Sequence, residues 1–143
     1  MVGWSNANQL FRSDENFQIL PALNEEQVNY WYASGKWNIK QITGHTTDHE
    51  RIMTYRALSF SGKDTTRLSG YDQDFFAQNS RSNEMEVKDL LQDYKNVRQA
   101  LSLMNSFSKE QLQLKGLAWK FELTVEDVLN ATIGHEGHLY VSR

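Results

Sequence analysis

The sequence predicts an all-α protein, a four-helix bundle with a long loop between its second and third helices. The 143 residues include a single proline, Pro21, so long tracts are free to form helices. Apolar residues recur three and four positions apart in several segments, and residues able to cap a helix precede these segments. No repeat or linker divides the chain, so we expect one domain over residues 1–143.

The first helix is expected from about Trp4 to Leu20, where large apolar residues have a loosely helical spacing. Residues 21–37 are predicted to be a connector with one short helical turn. A capping pattern begins there, but Ser34 and Gly35 soon interrupt it.

The second helix is predicted from Asn38 to about Phe60. The side chains of Asn38 and Gln41 can bond each other's backbone amides in a capping box. The polar segment 61–82 that follows contains two glycines and lacks periodicity, so it is predicted to be a long loop. Long loops in compact domains are often functional lids.

The third helix is predicted to begin at Asn83, with Glu86 completing its cap, and to run to about Asn105. Its apolar positions alternate three and four residues apart, which is typical of a bundle seam. They are Val87, Leu90, Tyr94, Val97, Leu101 and Met104.

The fourth and last helix is predicted to open at Thr124, with Asp127 completing its cap, and to reach the C-terminus. Before it, residues 108–114 are predicted to form a short turn and residues 115–123 an irregular stretch. The inner side of this helix carries Val125, Val128, Leu129 and Thr132.

The composition limits the classes of function. Lys and Arg total 15 against 18 Asp and Glu, and a net charge of −3 disfavours nucleic-acid binding. The chain contains no cysteine, which excludes disulfides, thiolate metal sites and a cysteine nucleophile. No apolar run reaches the roughly 20 residues of a membrane span and no leader-like segment opens the chain, so we expect a cytoplasmic protein without membrane contact.

All four histidines fall into two close pairs, His45 with His49 and His135 with His138. Burying an unpaired polar group costs about 1–3 kcal/mol, so histidines on an inner face should have partners. Imidazoles that face one another across a bundle core suit a borderline divalent ion, and three protein ligands leave a position for water or substrate. The seam spacing of the third helix, applied to the second, gives Ile42, His45, His49, Ile52 and Arg56.

The same spacing is compatible with hydrogen-bonded core histidines, because the motif lacks a stringent metal-site signature. In a metal site, carboxylates close to the histidines in sequence are candidates to fix the imidazole rings. They are Asp48, Glu50 and Glu136.

Arg56 is compatible with two roles, an ion pair with a carboxylate at the core edge or, inside a pocket, binding of a substrate carboxylate. The aromatic residues at 30–32 and Trp37 are predicted to cover the end of the bundle by hydrophobic packing. Stacking on nucleobases is disfavoured because no basic surface accompanies them.

The segments "GKWNIKQITGHTTDHERIMTYRAL", "LSGYDQDFFAQNS" and "IGHEGH" resemble the DinB-like superfamily, in its uncharacterised bacterial branch. The likeness runs from about Tyr30 to the C-terminus, and the stretch from Trp37 to Arg51 is its most specific part. It implies a bundle of the up-down-down-up type. Members commonly hold a zinc- or nickel-type ion with one histidine from the second helix and two from the fourth, and some are transferases or isomerases that use a low-molecular-weight thiol.

Position by position, the resemblance implies His45 as the ligand from the second helix and His135 as the first ligand of the last helix. The family usually spaces its last two ligands four residues apart, where this chain has Leu139. Either His138 supplies the third ligand or the site has lost one, and His49 is a substitute candidate on the inner stripe.

The first hypothesis is a metal-dependent transferase that takes a low-molecular-weight thiol as cosubstrate, with a metal-dependent hydrolase ranked just below it. The zinc or nickel ion would act as a Lewis acid. A small acidic substrate is expected near Arg56, with Tyr71 and Asp72 in the loop shaping the pocket mouth. The second hypothesis is a non-catalytic bundle whose metal site is lost, and the resemblance further suggests a homodimer.

Overall fold

The computed structural model describes residues 37–132. The predicted first helix and nearly all of the connector lie outside these residues, as do the end of the last helix and both C-terminal histidines. The described elements are α1 (Ile39–Ser61), α2 (Gln73–Asn79), a 3-10 turn (Ser82–Glu84), α3 (Val87–Ser102), a second 3-10 turn (Leu103–Ser106), α4 (Lys109–Leu112), β1 (Lys115–Ala118), β2 (Phe121–Thr124) and the helical residues 125–132, here α5.

The predicted capping box of α1 is confirmed. The Gln41 amide donates to Asn38 Oδ1 at 2.8 Å, and the Asn38 amide donates to Gln41 Oε1 at 3.1 Å. Two amides that would otherwise lack a partner at the helix start are therefore satisfied by two side chains. The Asn38 side chain also donates to Asn83 Oδ1 at 2.7 Å, which links this end of α1 to the turn before α3.

The predicted inner seam of α1 was only partly right. Ile42 and His45 are buried, but His49, Ile52 and Arg56 are only half-buried. The side that packs into the apolar core lies one position further along the helix and carries Thr46, Glu50, Met53, Ala57 and Phe60. The reason is that the large apolar residues of the second half, Met53 and Phe60, set the rotation of the helix against α3, the β-hairpin and α5.

The seam of α3 is confirmed, since five of its six positions are buried and Val87 is half-buried. Its start was predicted wrongly. Asn83 lies in the 3-10 turn, and its side chain accepts from Asn38 instead of capping α3, which begins at Val87. Gly44 allows this turn to approach α1, because a Cβ at position 44 would lie 2.0 Å from Ser82 Oγ.

The segment predicted as a long loop contains a helix of seven residues, α2. Asp72 caps it by accepting hydrogen bonds from the Asp74 and Phe75 amides, both at 3.1 Å. Only Ala77 of this helix is buried. A helix with one buried residue leaves no apolar stripe in the sequence, which is why the periodicity missed it.

The stretch predicted as irregular, residues 115–123, forms an antiparallel hairpin, which adds a small two-stranded sheet to the predicted all-α fold. Lys115 pairs with Thr124 and Ala118 with Phe121, so Trp119 and Lys120 form a two-residue turn. Gly116 is required here, because a Cβ at that position would lie 1.9 Å from the ring of the buried Phe60. The hairpin thus packs directly on the C-terminal end of α1.

The last helix begins as predicted. The Asp127 amide donates to Thr124 Oγ1 at 3.0 Å, and the Thr124 amide donates to Asp127 Oδ2 at 2.9 Å. All four predicted inner residues of this helix are buried, and they are Val125, Val128, Leu129 and Thr132. Within residues 37–132, no helix combines the length and apolar character needed to cross a bilayer.

Candidate functional site

His45 lies inside the molecule, on the side of α1 next to its apolar face. The residue is 3% exposed. Its ring centroid lies 4.7 Å from that of Trp37 and 5.8 Å from that of His49. The i,i+4 spacing thus places two imidazoles side by side on one helix, as the sequence predicted. Trp37 packs on His45.

His49 is held by the loop that precedes α2. Its Nδ1 lies 2.5 Å from the hydroxyl oxygen of Tyr71, and the two ring centroids are 5.9 Å apart. Burial raises the pKa of Tyr71 to about 12, so this hydroxyl is protonated at neutral pH and can either donate or accept. When His49 donates its Nδ1 hydrogen to Tyr71, the lone pair of the ring is on Nε2, the form that ligates a metal.

The two described carboxylates that were candidates to fix the imidazole rings form ion pairs with arginines. Asp48 pairs with Arg51 at 3.3 Å on the surface. Glu50 is buried and accepts from Arg98 Nε at 3.0 Å and from Arg98 Nη2. The third candidate, Glu136, lies outside the described residues.

Within residues 37–132, no three histidine, cysteine or acidic side chains come together closely enough to hold a metal ion. His135 and His138 belong to the C-terminal residues that the structure does not describe, and Leu139 belongs there too. The predicted triad therefore stays a prediction in its C-terminal half. In its N-terminal half the structure describes one buried imidazole, His45, with His49 beside it.

The three predicted substrate-binding residues line one pocket. Arg56 of α1, together with Tyr71 and Asp72 before α2, borders a space of about 500 Å³ that the hairpin closes on the other side. This volume is within the range of small-molecule sites. The Asp72 carboxylate serves at the same time as the N-cap of α2.

Arg56 is a partly buried cation in this pocket. Its Nη2 donates to the Ser69 carbonyl at 3.1 Å, and its Nη1 lies 3.6 Å from Met53 Sδ. Among the described residues, no carboxylate forms an ion pair with Arg56, so the predicted core-edge ion pair is not seen there. Burial lowers the pKa of its guanidinium, with the nearby Tyr71 opposing this effect.

The hairpin residues of the pocket were missed by the sequence analysis. Trp119, Phe121 and Leu123 line its wall. Burial alternates along residues 115–118 in the structure, but their sequence, Lys-Gly-Leu-Ala, does not alternate between polar and apolar residues. The turn, moreover, consists of tryptophan and lysine rather than the Asn-Gly or Asp-Gly pairs that mark a tight hairpin, and this hid it.

The sequence and the fold of this chain both resemble those of known proteins. The model of the DinB superfamily matches residues 12–139. A solved structure from Bacillus subtilis, YfiT, is described as a probable metal-dependent hydrolase with an unusual four-helix bundle topology. It superposes with a TM-score of 0.83 at 17% identity, covering 93% of this chain and 78% of that chain. A search of curated proteins gave no significant match. The superposition confirms the bundle class in its broad form, to which the hairpin is an addition.

Proposed function

We propose that this chain, which belongs to the DinB superfamily, binds a divalent ion, zinc or nickel, and transfers a low-molecular-weight thiol to a small acidic substrate. In this transfer a carbon–sulfur bond forms as the leaving group of the substrate departs with the proton of the thiol. The observation that carries the proposal is the imidazole pair on α1, in which His45 is buried and its ring lies beside that of His49. Neutral imidazole is the form of histidine that ligates metal ions.

The donor chemistry fits such an ion. Imidazole is a preferred ligand of zinc and nickel, and a chain without cysteine has no thiolate to compete for them. We propose His45, His135 and His138 as ligands, with His49 as the substitute for His138. When bound, the ion would supply Lewis-acid activation of an incoming thiol or water molecule.

The chain's own side chains have separate tasks in this proposal. The Tyr71 hydroxyl orients the ring of His49 through the contact at Nδ1. Arg56 pairs with the acidic group of the substrate and thereby orients the substrate in the pocket. The thiol arrives as a cosubstrate because the chain has no cysteine.

A metal-dependent hydrolase is the second candidate function. The structural neighbour YfiT is described as a probable metal-dependent hydrolase, and the same ligands would serve for activation of water. The two candidates differ in their dependence on a thiol. Activity toward an electrophilic substrate that requires added thiol supports transfer, and ester hydrolysis that proceeds without thiol supports the alternative.

Elemental analysis of untagged protein tests the metal site. We expect about one zinc or nickel ion per chain and a loss of most of it in His45→Gln, because removing one of three ligands weakens binding by orders of magnitude. Parallel analysis of His49→Gln and His138→Gln identifies the third ligand. Of these two variants, we expect a lower metal content only in the one that lacks the third ligand.

The matched control for the metal analysis is Gln99→Ala, an exposed change on α3 that should leave the metal content unchanged. Circular dichroism establishes that each variant is folded. A substoichiometric metal content that His45→Gln does not alter would contradict the proposal and support a non-catalytic bundle.

A further inference from the structure

The tip of the hairpin is held in an unusual backbone conformation at the wall of the pocket. Trp119 has a φ of 53°, in the left-handed region that bulky residues rarely adopt. Such a conformation persists only where the surroundings enforce it, and it is often found at ligand-binding sites. Here the Trp119 amide donates to the Leu68 carbonyl at 2.7 Å, and the Arg67 guanidinium donates to the Trp119 carbonyl.

The same tip presents aromatic surface to the pocket. Trp119 is 57% exposed and Phe121 is 50% exposed, and both line the pocket. Their ring centroids are 5.7 Å apart at an angle of 74°. Gly70 permits the loop to reach the indole, since a Cβ there would lie 3.2 Å from Trp119 Cγ. The wall therefore combines two large rings with a glycine that keeps the space beside them clear.

The opposite side of the pocket carries the positive charge of Arg56. Its two described polar contacts, to the Ser69 carbonyl and the Met53 sulfur, supply no negative charge. A guanidinium has five N–H donors in a planar fork that matches a carboxylate. The acid on the lining, Asp72, keeps its negative charge while its Oδ1 caps α2, and it forms no described ion pair with Arg56. The pocket thus has on one side a cation that forms no described ion pair and on the other side aromatic rings.

We propose that this pocket binds an organic anion with a flat apolar body, whose carboxylate or similar group pairs with Arg56 while the body lies against Trp119 and Phe121. The inference deepens the proposed function, because it assigns a chemical class to the substrate of the same site. The role of this anion as the substrate rests on the proposed function. Its binding does not, since none of the residues that form the pocket is a proposed metal ligand.

Direct binding of matched probes to the full chain tests this inference. We expect naphthylacetate to bind about tenfold more tightly than naphthylmethylamine, which has the wrong charge, and than acetate, which lacks the ring. Equilibrium dialysis or ligand-observed NMR titration gives the three dissociation constants. Equal affinity for the anionic and cationic probes would overturn the inference.

Variants locate the bound probe. Arg56→Gln should weaken naphthylacetate binding about tenfold and abolish the charge preference, whereas Arg56→Lys keeps the preference with lower affinity. Trp119→Asn removes the indole but suits the left-handed turn, and it should weaken binding several-fold. The matched control is Lys109→Gln, which removes an exposed charge on α4, outside the lining, and should change the affinity less than about twofold. A charge preference that survives Arg56→Gln would overturn the inference.

The role of the metal is separated by repeating the titration with chelator-treated protein and with His45→Gln. We expect the affinity for naphthylacetate to be unchanged in both. Binding that disappears on chelation would place the carboxylate on the metal and refute the assignment to Arg56. A chain that holds no metal but binds naphthylacetate through Arg56 would refute the proposed function and leave this inference standing.

Discussion

Tyr71 connects the two halves of the candidate site. Its hydroxyl contacts His49 Nδ1, and its side chain lines the pocket with Arg56. It also contacts Phe76 of α2 at a centroid distance of 5.1 Å, so the same ring secures the short helix. Replacing Tyr71 is therefore expected to affect both the orientation of His49 and the shape of the pocket.

The titration of Tyr71 predicts a loss of stability in alkali. Burial raises its pKa from 10.0 to about 12, so the folded state holds the proton more tightly than the unfolded state does. Its contribution to stability is fully present below pH 10 and is lost as the pH rises toward 12. In chelator-treated protein, we expect the urea midpoint to fall less over this range in Tyr71→Phe than in the wild type.

The control for the alkaline titration is Tyr55→Phe, which removes an exposed tyrosine from α1. It should reproduce the wild-type loss. An identical decline in the wild type and in Tyr71→Phe would show that the Tyr71 hydroxyl is not the group responsible.

Glu50 and Arg98 form a buried ion pair between α1 and α3. They are 1% and 5% exposed, and Arg98 also donates to the hydroxyl of Tyr94 at 3.1 Å. Replacing Arg98 takes its guanidinium away from the buried Glu50 carboxylate. We therefore expect Arg98→Met to lower the free energy of unfolding by about 3–5 kcal/mol, measured by urea denaturation.

The double variant Glu50→Met with Arg98→Met completes this test. Replacing both charges by apolar residues removes the desolvation cost as well, so most of the lost stability should return. A double variant less stable than Arg98→Met alone would contradict this expectation, because it would show that Glu50 stabilises the fold without Arg98.

The hairpin depends on a single glycine for its contact with α1. Gly116→Ala would place a methyl group within the ring of Phe60, which is fully buried and cannot move aside. Overpacking a core position costs about 1–3 kcal/mol, so we expect the free energy of unfolding to fall by at least that amount. Chemical denaturation measures it.

Gly62→Ala serves as the comparison for Gly116→Ala. Gly62 has a φ of −82° and follows α1, where a Cβ would come no closer than 3.3 Å to the Leu58 carbonyl. Its effect should stay within about 0.5 kcal/mol. Equal effects of the two substitutions would mean that the hairpin does not pack on Phe60 as described.

For the molecule as a whole, the sequence was sufficient where local signals and long-range packing agree. The caps at Asn38 and Thr124 are reciprocal side-chain pairs three residues apart, and both are present. The seam of α3 is strictly periodic and is buried. The adjacency of His45 and His49 follows from helix geometry alone.

Features that depend on distant parts of the chain could not be predicted in this way. The pairing of Glu50 with Arg98 joins residues 48 positions apart without any shared motif. The rotation of α1 was decided by Met53 and Phe60, whose partners lie in the hairpin and α5. The aromatic wall at Trp119 escaped notice because its turn is enforced by contacts with Leu68 and Arg67 rather than by turn-forming residues.

The parallel bridge between Leu68 and Ala118 has a mechanical consequence for access to the pocket. The Leu68 amide donates to the Leu117 carbonyl at 2.9 Å. This hydrogen bond holds Leu68, which lies between α1 and α2, at the edge of the hairpin. A wider entrance would therefore require displacement of the residues after Leu68, which would have to break the contacts of Ser69 with Arg56 and of Tyr71 with His49.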